Sequence, residues 1–296
     1  MQNIITIFFR FLHNYFVLKS NLKINDWDIA IQDFLESPKP CMIARFGSTE
    51  LKAVLYPKLP FYLRFLLKNR IFYNMNILSG FFPINNNSIR LFSNLMIEDI
   101  KLLDILGSWR FEEFFLRKHL HYTTSLHLTT LEPYFNENPW SEILENKNVL
   151  VIHPFNRTIE NQYFNKRKLL FNDPRVLPQF KSLQTIKAVQ TLAGNKSEFK
   201  DWFEALDYMK FEISKLDFDI AIIGCGAYGF PLAAHVKRLG KKAVHLGGPT
   251  QILFGIKGKR WLDNPKFDNI INEHFVFPSE EDQVVNSSKV ENSCYW

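Results

Sequence analysis

The chain has 296 residues, 46% of them hydrophobic and 22% charged, with a formal net charge of +6. This is the composition of a globular protein large enough for an α/β domain, and it excludes a fibrous or disordered chain. A positive balance points to nucleic acid, anionic lipid or a phosphorylated ligand. The chain carries no arginine-rich arm, zinc-finger spacing or RNA-binding aromatic signature, so nucleic acid is not the expected partner.

Residues 4–18 are rich in Ile, Phe and Leu but are interrupted by Arg10, His13 and Asn14. The run is too short to span a bilayer, and no small-residue cleavage site follows it. It reads as an amphipathic helix in an N-terminal segment 1–24, lying either on a membrane surface or on the domain. A helix is expected over 26–35, ended by Pro38 and Pro40, then a strand over 41–44. Ser48 is placed to cap a helix over 49–56. Residues 61–82 mix Phe61, Tyr62, Phe65 and Leu66 with Arg64, Lys68 and Arg70. That mixture suits either a lipid headgroup layer or an ordinary amphipathic helix over a core. Ser88 is placed to cap a helix reaching 106, 108–119 reads as aromatic and helical, and 120–139 is mixed. A strand over 148–152, a helix over 158–171, a strand over 183–189 and a long amphipathic helix over 199–216 follow.

The strongest local signal comes next. Residues 218–223 form an apolar run suited to a strand buried on both faces. Gly224, Gly226 and Gly229 then make a G-x-G-x-x-G turn, a helix is expected over 232–239, and a strand over 243–246. A glycine turn entering a helix offers unpaired N–H groups and a partial positive charge to a phosphate; the alternative is that the glycines only let strand and helix pack closely. A dinucleotide site asks for an acidic residue about 20 positions on, but the second strand ends His245-Leu246-Gly247-Gly248. The residues after 277 read as a loose polar tail, 278–296. Strands alternating with helices predict a doubly wound, mostly parallel, Rossmann-like α/β fold in one domain over 25–277. Cys41, Cys225 and Cys294 form neither a metal pair nor a disulfide framework, which fits a reducing cytoplasm.

In open parallel sheets, ligands bind beyond the carboxyl ends of the strands. That rule gathers Arg45, Gly47, Ser48, Glu50, His153, Gln190, Gly224, Gly226, Tyr228, Gly229, Gly248 and Gln251 on one rim. Glu50 is the best carboxylate for a general base or metal ligand, or else the third helical residue of a capping box. His153, directly after a buried strand, faces a ligand or is a satisfied core histidine. Lys257, Lys259 and Arg260 sit in a glycine-bearing turn suited to neutralising a diphosphate, or form a solvated basic loop. Cys225 reads as a small apolar filler.

The Arg45-Phe46-Gly47-Ser48-Thr49-Glu50 element resembles the R-x-G-D-G-E element of GT-D-type bacterial glycosyltransferases. The unit from Asp219 to Gly229 looks like their second nucleotide-side element, and the resemblance covers roughly residues 40–261. It implies a GT-D-type fold, a nucleotide sugar donor, and a glycan or lipid-linked acceptor in surface polysaccharide assembly. In that family an Asp-x-Glu pair is linked to the donor and a divalent metal. Ser48 stands where the Asp would be and Glu50 where the Glu is, so no metal ligand is assigned here, and magnesium or manganese is an expectation of the resemblance only. Transfer is accordingly expected to survive a chelator. The Gly255–Trp261 stretch and the terminal Cys294-Tyr295-Trp296 look like a subgroup found with polysaccharide genes. The expected setting is cytoplasmic, peripheral on the inner face of the cell membrane, with an anionic lipid surface as a partner. Two rivals remain: a nicotinamide-dependent sugar oxidoreductase and a non-catalytic phosphosugar-binding protein.

Overall fold

The computed structural model describes residues 27–195, 197–282 and 294–295. The expected helix over 4–18 lies outside them. The strands are β1 (Cys41–Ala44), β2 (Ile105–Ser108), β3 (Thr124–His127), β4 (Asn148–His153), β5 (Ser182–Lys187), β6 (Ile220–Ile223) and β7 (Lys242–His245). They form one seven-stranded sheet in the order β3-β2-β1-β7-β6-β4-β5, and each neighbouring pair is parallel. The helices are α1 (Trp27–Glu36), α2 (Ser48–Leu55), α3 (Phe61–Ile77), α4 (Asn86–Ile100), α5 (Asn156–Leu170), α6 (Trp202–Ser214), α7 (Gly229–Arg238), α8 (Thr250–Leu253) and α9 (Lys259–Leu262).

The apolar runs become central strands because both faces of the sheet are covered. Side chains alternate across a strand, so Met42, Ala44, Leu150, Ile152, Ala221 and Ile223 enter one core. Cys41, Ile43, Val149, Val151, Ile220 and Ile222 enter the other. The first core is closed by α2, α3, α4, α6 and α7. The second is closed by α1, α5 and the irregular segments around Trp140 and Phe254. This is the doubly wound α/β architecture expected from the alternation of elements. From β1 the chain moves to β2 on one side, whereas β7 is reached from β6 on the other. The loops after β1 and β7 therefore part, and a crevice opens at their carboxyl ends.

Several boundaries differ from the sequence expectation. Gly47, not Ser48, is the N-cap residue of α2, and Ser48 is its first helical residue. Helix α4 is capped by Asn85, with Ser88 as the reciprocal partner of a capping box. The helix expected to run to 106 stops at Ile100, and Ile105–Ser108 is instead a strand. The cause is Asp104: its carboxylate accepts from the Met42 N–H at 2.8 Å and from the Lys237 ammonium at 2.6 Å, pinning that segment beside β1. Short apolar runs of four residues do not declare helix or strand by periodicity. Strand β3 is an edge strand of mixed polarity and left no such run. The stretch after β2 is a 3-10 turn over Phe111–Leu116, not a long helix. The tail is not loose where it is described. The buried Asp282 carboxylate accepts from the Thr158 N–H and hydroxyl at 2.9 and 2.6 Å, and Cys294 and Tyr295 are held against the strand ends.

Candidate functional site

Beyond the carboxyl ends of β1, β4, β5, β6 and β7 lies a cavity of about 200 Å³. Of the residues singled out in the sequence, Arg45, Gly47, Ser48, Glu50, His153, Gln190, Gly224, Gly226, Tyr228, Gly248, Gln251 and Arg260 line it. Gly229, Lys257 and Lys259 do not. The Lys257 ammonium lies over the Phe277 ring, 5.4 Å from its centroid, and Lys259 is exposed. The basic turn thus brings one cation to the cavity, Arg260, rather than three.

The loop after β1 supplies the charged groups. Arg45 lies with its guanidinium 4.9 Å from the Trp109 ring centroid, a stacking arrangement that suits arginine. Its Nε is cut off from solvent and has no hydrogen-bond partner among the described residues. Burial pulls this guanidinium below the usual arginine range, opposed by Glu50 and Tyr295, while Arg260 pulls the same way. Glu50 is buried at the third position of α2. Its carboxylate folds back over Gly47, so that any side chain at 47 would run into it. Among the described residues no hydrogen bond is donated to the Glu50 carboxylate.

The glycines of the β6–α7 turn do two jobs. At Gly224 an added Cβ would lie 2.5 Å from the Thr250 hydroxyl, 2.7 Å from the Gly247 carbonyl and 2.8 Å from the His153 ring, so this residue serves close packing. Gly229 serves the same end: its missing side chain is where the His245 imidazole sits. Gly226 differs. It has φ 55°, a left-handed conformation that favours glycine, and the nearest atom an added Cβ would meet is 3.9 Å away. Open space therefore lies in front of its Cα, at the cavity.

His153 and His245 are buried, and burial lowers each imidazole from 6.5 to about 3, with Arg45 adding to the effect at His245. Both are neutral at neutral pH. His153 Nδ1 accepts the Phe155 N–H at 3.0 Å, which places the proton on Nε2. The residue lines the cavity and is also buried, with Nε2 left as a hydrogen-bond donor. His245 Nδ1 lies 3.2 Å from the Ile223 carbonyl.

Trp109, Ser79 and Tyr295 are among the contributors not expected from sequence. Trp109 follows β2, the strand read as helix; its indole N–H donates to the Phe46 carbonyl at 2.9 Å, fixing the plane on which Arg45 stacks. Ser79 arrives from the turn after α3. Tyr295, in the segment read as a loose tail, closes the rim: its carbonyl accepts from Gln251 at 3.0 Å and its hydroxyl from Arg260 at 2.9 Å. The Arg260 N–H donates to the Cys294 carbonyl at 2.9 Å. The nearness of Tyr295 to Gly258, 2.8 Å from an added Cβ, explains that glycine. The terminal Cys-Tyr-Trp, aromatic after a polar stretch, was the available signal.

Among the described residues Glu50 is the sole carboxylate lining the cavity, and the guanidinium of Arg45 is its electrostatic neighbour. Magnesium and manganese ask for several oxygen ligands, so this donor set does not fit the divalent ion implied by the resemblance. No group of three or more His, Cys, Asp or Glu side chains is gathered for a metal among the described residues. Compared with protein-family models, curated proteins and solved structures, the chain matches none. What fold and cavity define is a class: a doubly wound parallel α/β protein with a basic cavity at its topological switch point.

Proposed function

We propose that this protein is a glycosyltransferase that moves a sugar from a nucleotide sugar to a glycan or lipid-linked acceptor in bacterial surface polysaccharide assembly. The observation that carries the reading is Arg45, which lines a cavity that also holds the Gly226 turn, Arg260 and, among the described residues, one carboxylate. Arg45 and Arg260 both line the cavity, and guanidinium groups there suit an anionic ligand. A diphosphate is such a ligand: arginine gives it paired hydrogen bonds, and the turn before α7 offers backbone N–H groups.

In this reading the diphosphate lies between Arg45, Arg260 and the turn at Gly226. An acceptor hydroxyl oxygen bonds to the anomeric carbon, and the bond from that carbon to the diphosphate breaks. The electron pair leaves with the nucleoside diphosphate, and Glu50 takes the acceptor proton. The two guanidinium groups stabilise the charge growing on the leaving diphosphate, work done in other enzymes by a metal. His153, neutral and with its proton on Nε2, donates a hydrogen bond and does not compete with Glu50 as base. A cavity of about 200 Å³ is small for a whole nucleotide sugar. It takes the sugar diphosphate end, and the base lies outward toward Tyr295.

No helix among the described residues is long and apolar enough to cross a membrane, and Cys41, Cys225 and Cys294 are buried and in no disulfide among the described residues. The reading places the protein on the cytoplasmic side. The test is a thermal-shift screen of the purified chain against nucleoside diphosphate sugars, nucleoside monophosphates and NAD, followed by assay of nucleoside diphosphate release with and without EDTA. The expected result is stabilisation by a nucleoside diphosphate sugar and turnover that persists with EDTA. Stabilisation by NAD alone would replace this reading with an oxidoreductase. Binding of a nucleotide sugar without turnover on any glycan acceptor would replace it with a phosphosugar-binding protein.

A further inference from the structure

Helix α3 leaves large apolar side chains in water. Phe61 and Phe65 are each 76% exposed, Leu66 70%, Tyr62 63% and Tyr73 61%. The helix does have a buried side, marked by Ile71 and Met75, so its exposure is not that of a detached segment. At about 100° per residue, Phe61, Phe65, Tyr62, Tyr73 and Leu66 fall within an arc of about 140° whose centre lies about 130° from that of Ile71 and Met75. Single exposed apolar residues are ordinary, but a contiguous cluster marks an interaction site.

The charges around this stripe select its partner. Lys68 and Arg70 are exposed and fall on the two flanks of the apolar stripe. Arg64 falls on the buried side, and its Nε is removed from solvent, so it is not one of the surface cations. From residue 51 to residue 97 the sequence contains six Lys and Arg and no Asp or Glu. Lys52, near enough to Arg70 to feel its charge, extends the basic field. A second copy of the chain docked through this face in two-fold symmetry would bring like charges together. The N-terminal 25 residues hold three Lys and Arg and no acid, so they offer the helix no complementary charge. Aromatic rings with lysine and arginine on either flank match the boundary of an anionic bilayer, where rings settle at headgroup level and long cationic side chains reach outward to phosphate.

We propose that α3 docks the protein on an anionic lipid surface, with Phe61, Tyr62, Phe65 and Leu66 entering the headgroup boundary and Lys68 and Arg70 holding lipid phosphates. Leu78 and Ser79, directly after this helix, belong to the cavity wall. The docked helix thus runs from the lipid surface to the cavity. The inference rests on α3 alone and stands or falls separately from sugar transfer.

The experiment is co-sedimentation of the full chain with vesicles of phosphatidylcholine, with and without phosphatidylserine, at low and high salt. The wild type is expected to sediment with the phosphatidylserine vesicles, to remain in solution with phosphatidylcholine alone, and to be released by salt. The pair Lys68→Ala and Arg70→Ala is expected to weaken partitioning by at least about fivefold, and the pair Phe61→Ser and Phe65→Ser to weaken it further, with unchanged circular dichroism. If the wild type stays in solution with anionic vesicles at low salt, or the variants sediment as well as the wild type, the proposal is overturned. A dimer in light scattering that the Phe61→Ser, Phe65→Ser pair dissolves also overturns it, in favour of a second copy. Should the serine pair unfold, an environment-sensitive dye on Asn69→Cys decides: a blue shift on anionic vesicles supports the docking, and an unchanged spectrum refutes it.

Discussion

The molecule carries positive charge in two settings that share a sign and little else. Arg45 is cut off from solvent at Nε, stacked on Trp109 and set among a few converging groups at the end of a central strand. Lys68 and Arg70 are exposed on a helix whose outer side is apolar and without acids. A buried guanidinium at a strand end suits a specific small anion, because its lost hydration is replaced at a fixed place. Exposed cations flanking apolar rings ask for an extended anionic surface, where position matters little and number matters more. Net charge alone does not separate these two uses; burial and neighbours do.

The comparison breaks if changes in one setting are felt in the other. The largest effect is expected from Glu50→Gln. It removes the proposed base while keeping the side chain's size over Gly47, so turnover is expected to fall by roughly 10² to 10⁴. Calorimetric affinity for the donor and binding to vesicles are expected to stay near wild type. Equal loss of donor affinity and turnover would make Glu50 a binding group instead.

Next come two glycines three residues apart. Gly226→Val puts a branched side chain on a left-handed backbone and into the open space in front of it. It is expected to abolish the thermal shift given by a nucleotide sugar. Gly229→Ala pushes into the His245 imidazole instead. It is expected to lower unfolding stability by about 1–3 kcal/mol in urea titration, the usual range for overpacking, while the surviving folded fraction still binds donor. If both act only through stability, the turn is a packing device and the phosphate role of Gly226 fails.

The smallest change concerns protons. The His153 and His245 imidazoles, held near 3, are expected to show no chemical-shift change in nuclear magnetic resonance between about pH 8 and pH 5. The unfolded chain takes up protons there that the folded one refuses. Their contribution to stability is therefore complete above about pH 6.5 and is lost as the pH falls toward 3. Asp28 and Asp99, raised to about 6 by burial, act in the opposite direction, so a resolved signal and not global stability is the proper readout. Titration of either imidazole near 6.5 would mean that the cavity admits water freely.

What the sequence revealed and what it hid have the same physical root. Phe218 to Ile223 and the glycines after it announced a parallel strand and its turn because both faces of that strand are buried and its turn needs special backbone geometry. Ile105–Ser108 hid because four apolar residues fit either element, and Asp104, which decides the matter, acts through Met42 and Lys237 far away in sequence. Losing that strand meant losing Trp109 and so the support of Arg45. The strand-end rule brought Arg45, Glu50 and Gly226 to one cavity. It had no way to know that the turn holding Lys257 and Lys259 faces elsewhere, or that Tyr295 returns from the end of the chain. Those are long-range contacts, and spacing does not encode them.

The most direct measurement is isothermal titration calorimetry of the wild type and Arg45→Met with the nucleoside diphosphate sugar that gives the largest thermal shift. Methionine keeps an unbranched side chain against Trp109 while removing the guanidinium. A charged hydrogen-bonding group on a phosphate is worth about 1.5–3 kcal/mol. The account therefore predicts binding at least about tenfold weaker in Arg45→Met, with vesicle binding unchanged. Equal affinity in the two proteins would show that Arg45 does not hold the donor and would contradict the assignment of the cavity as its site.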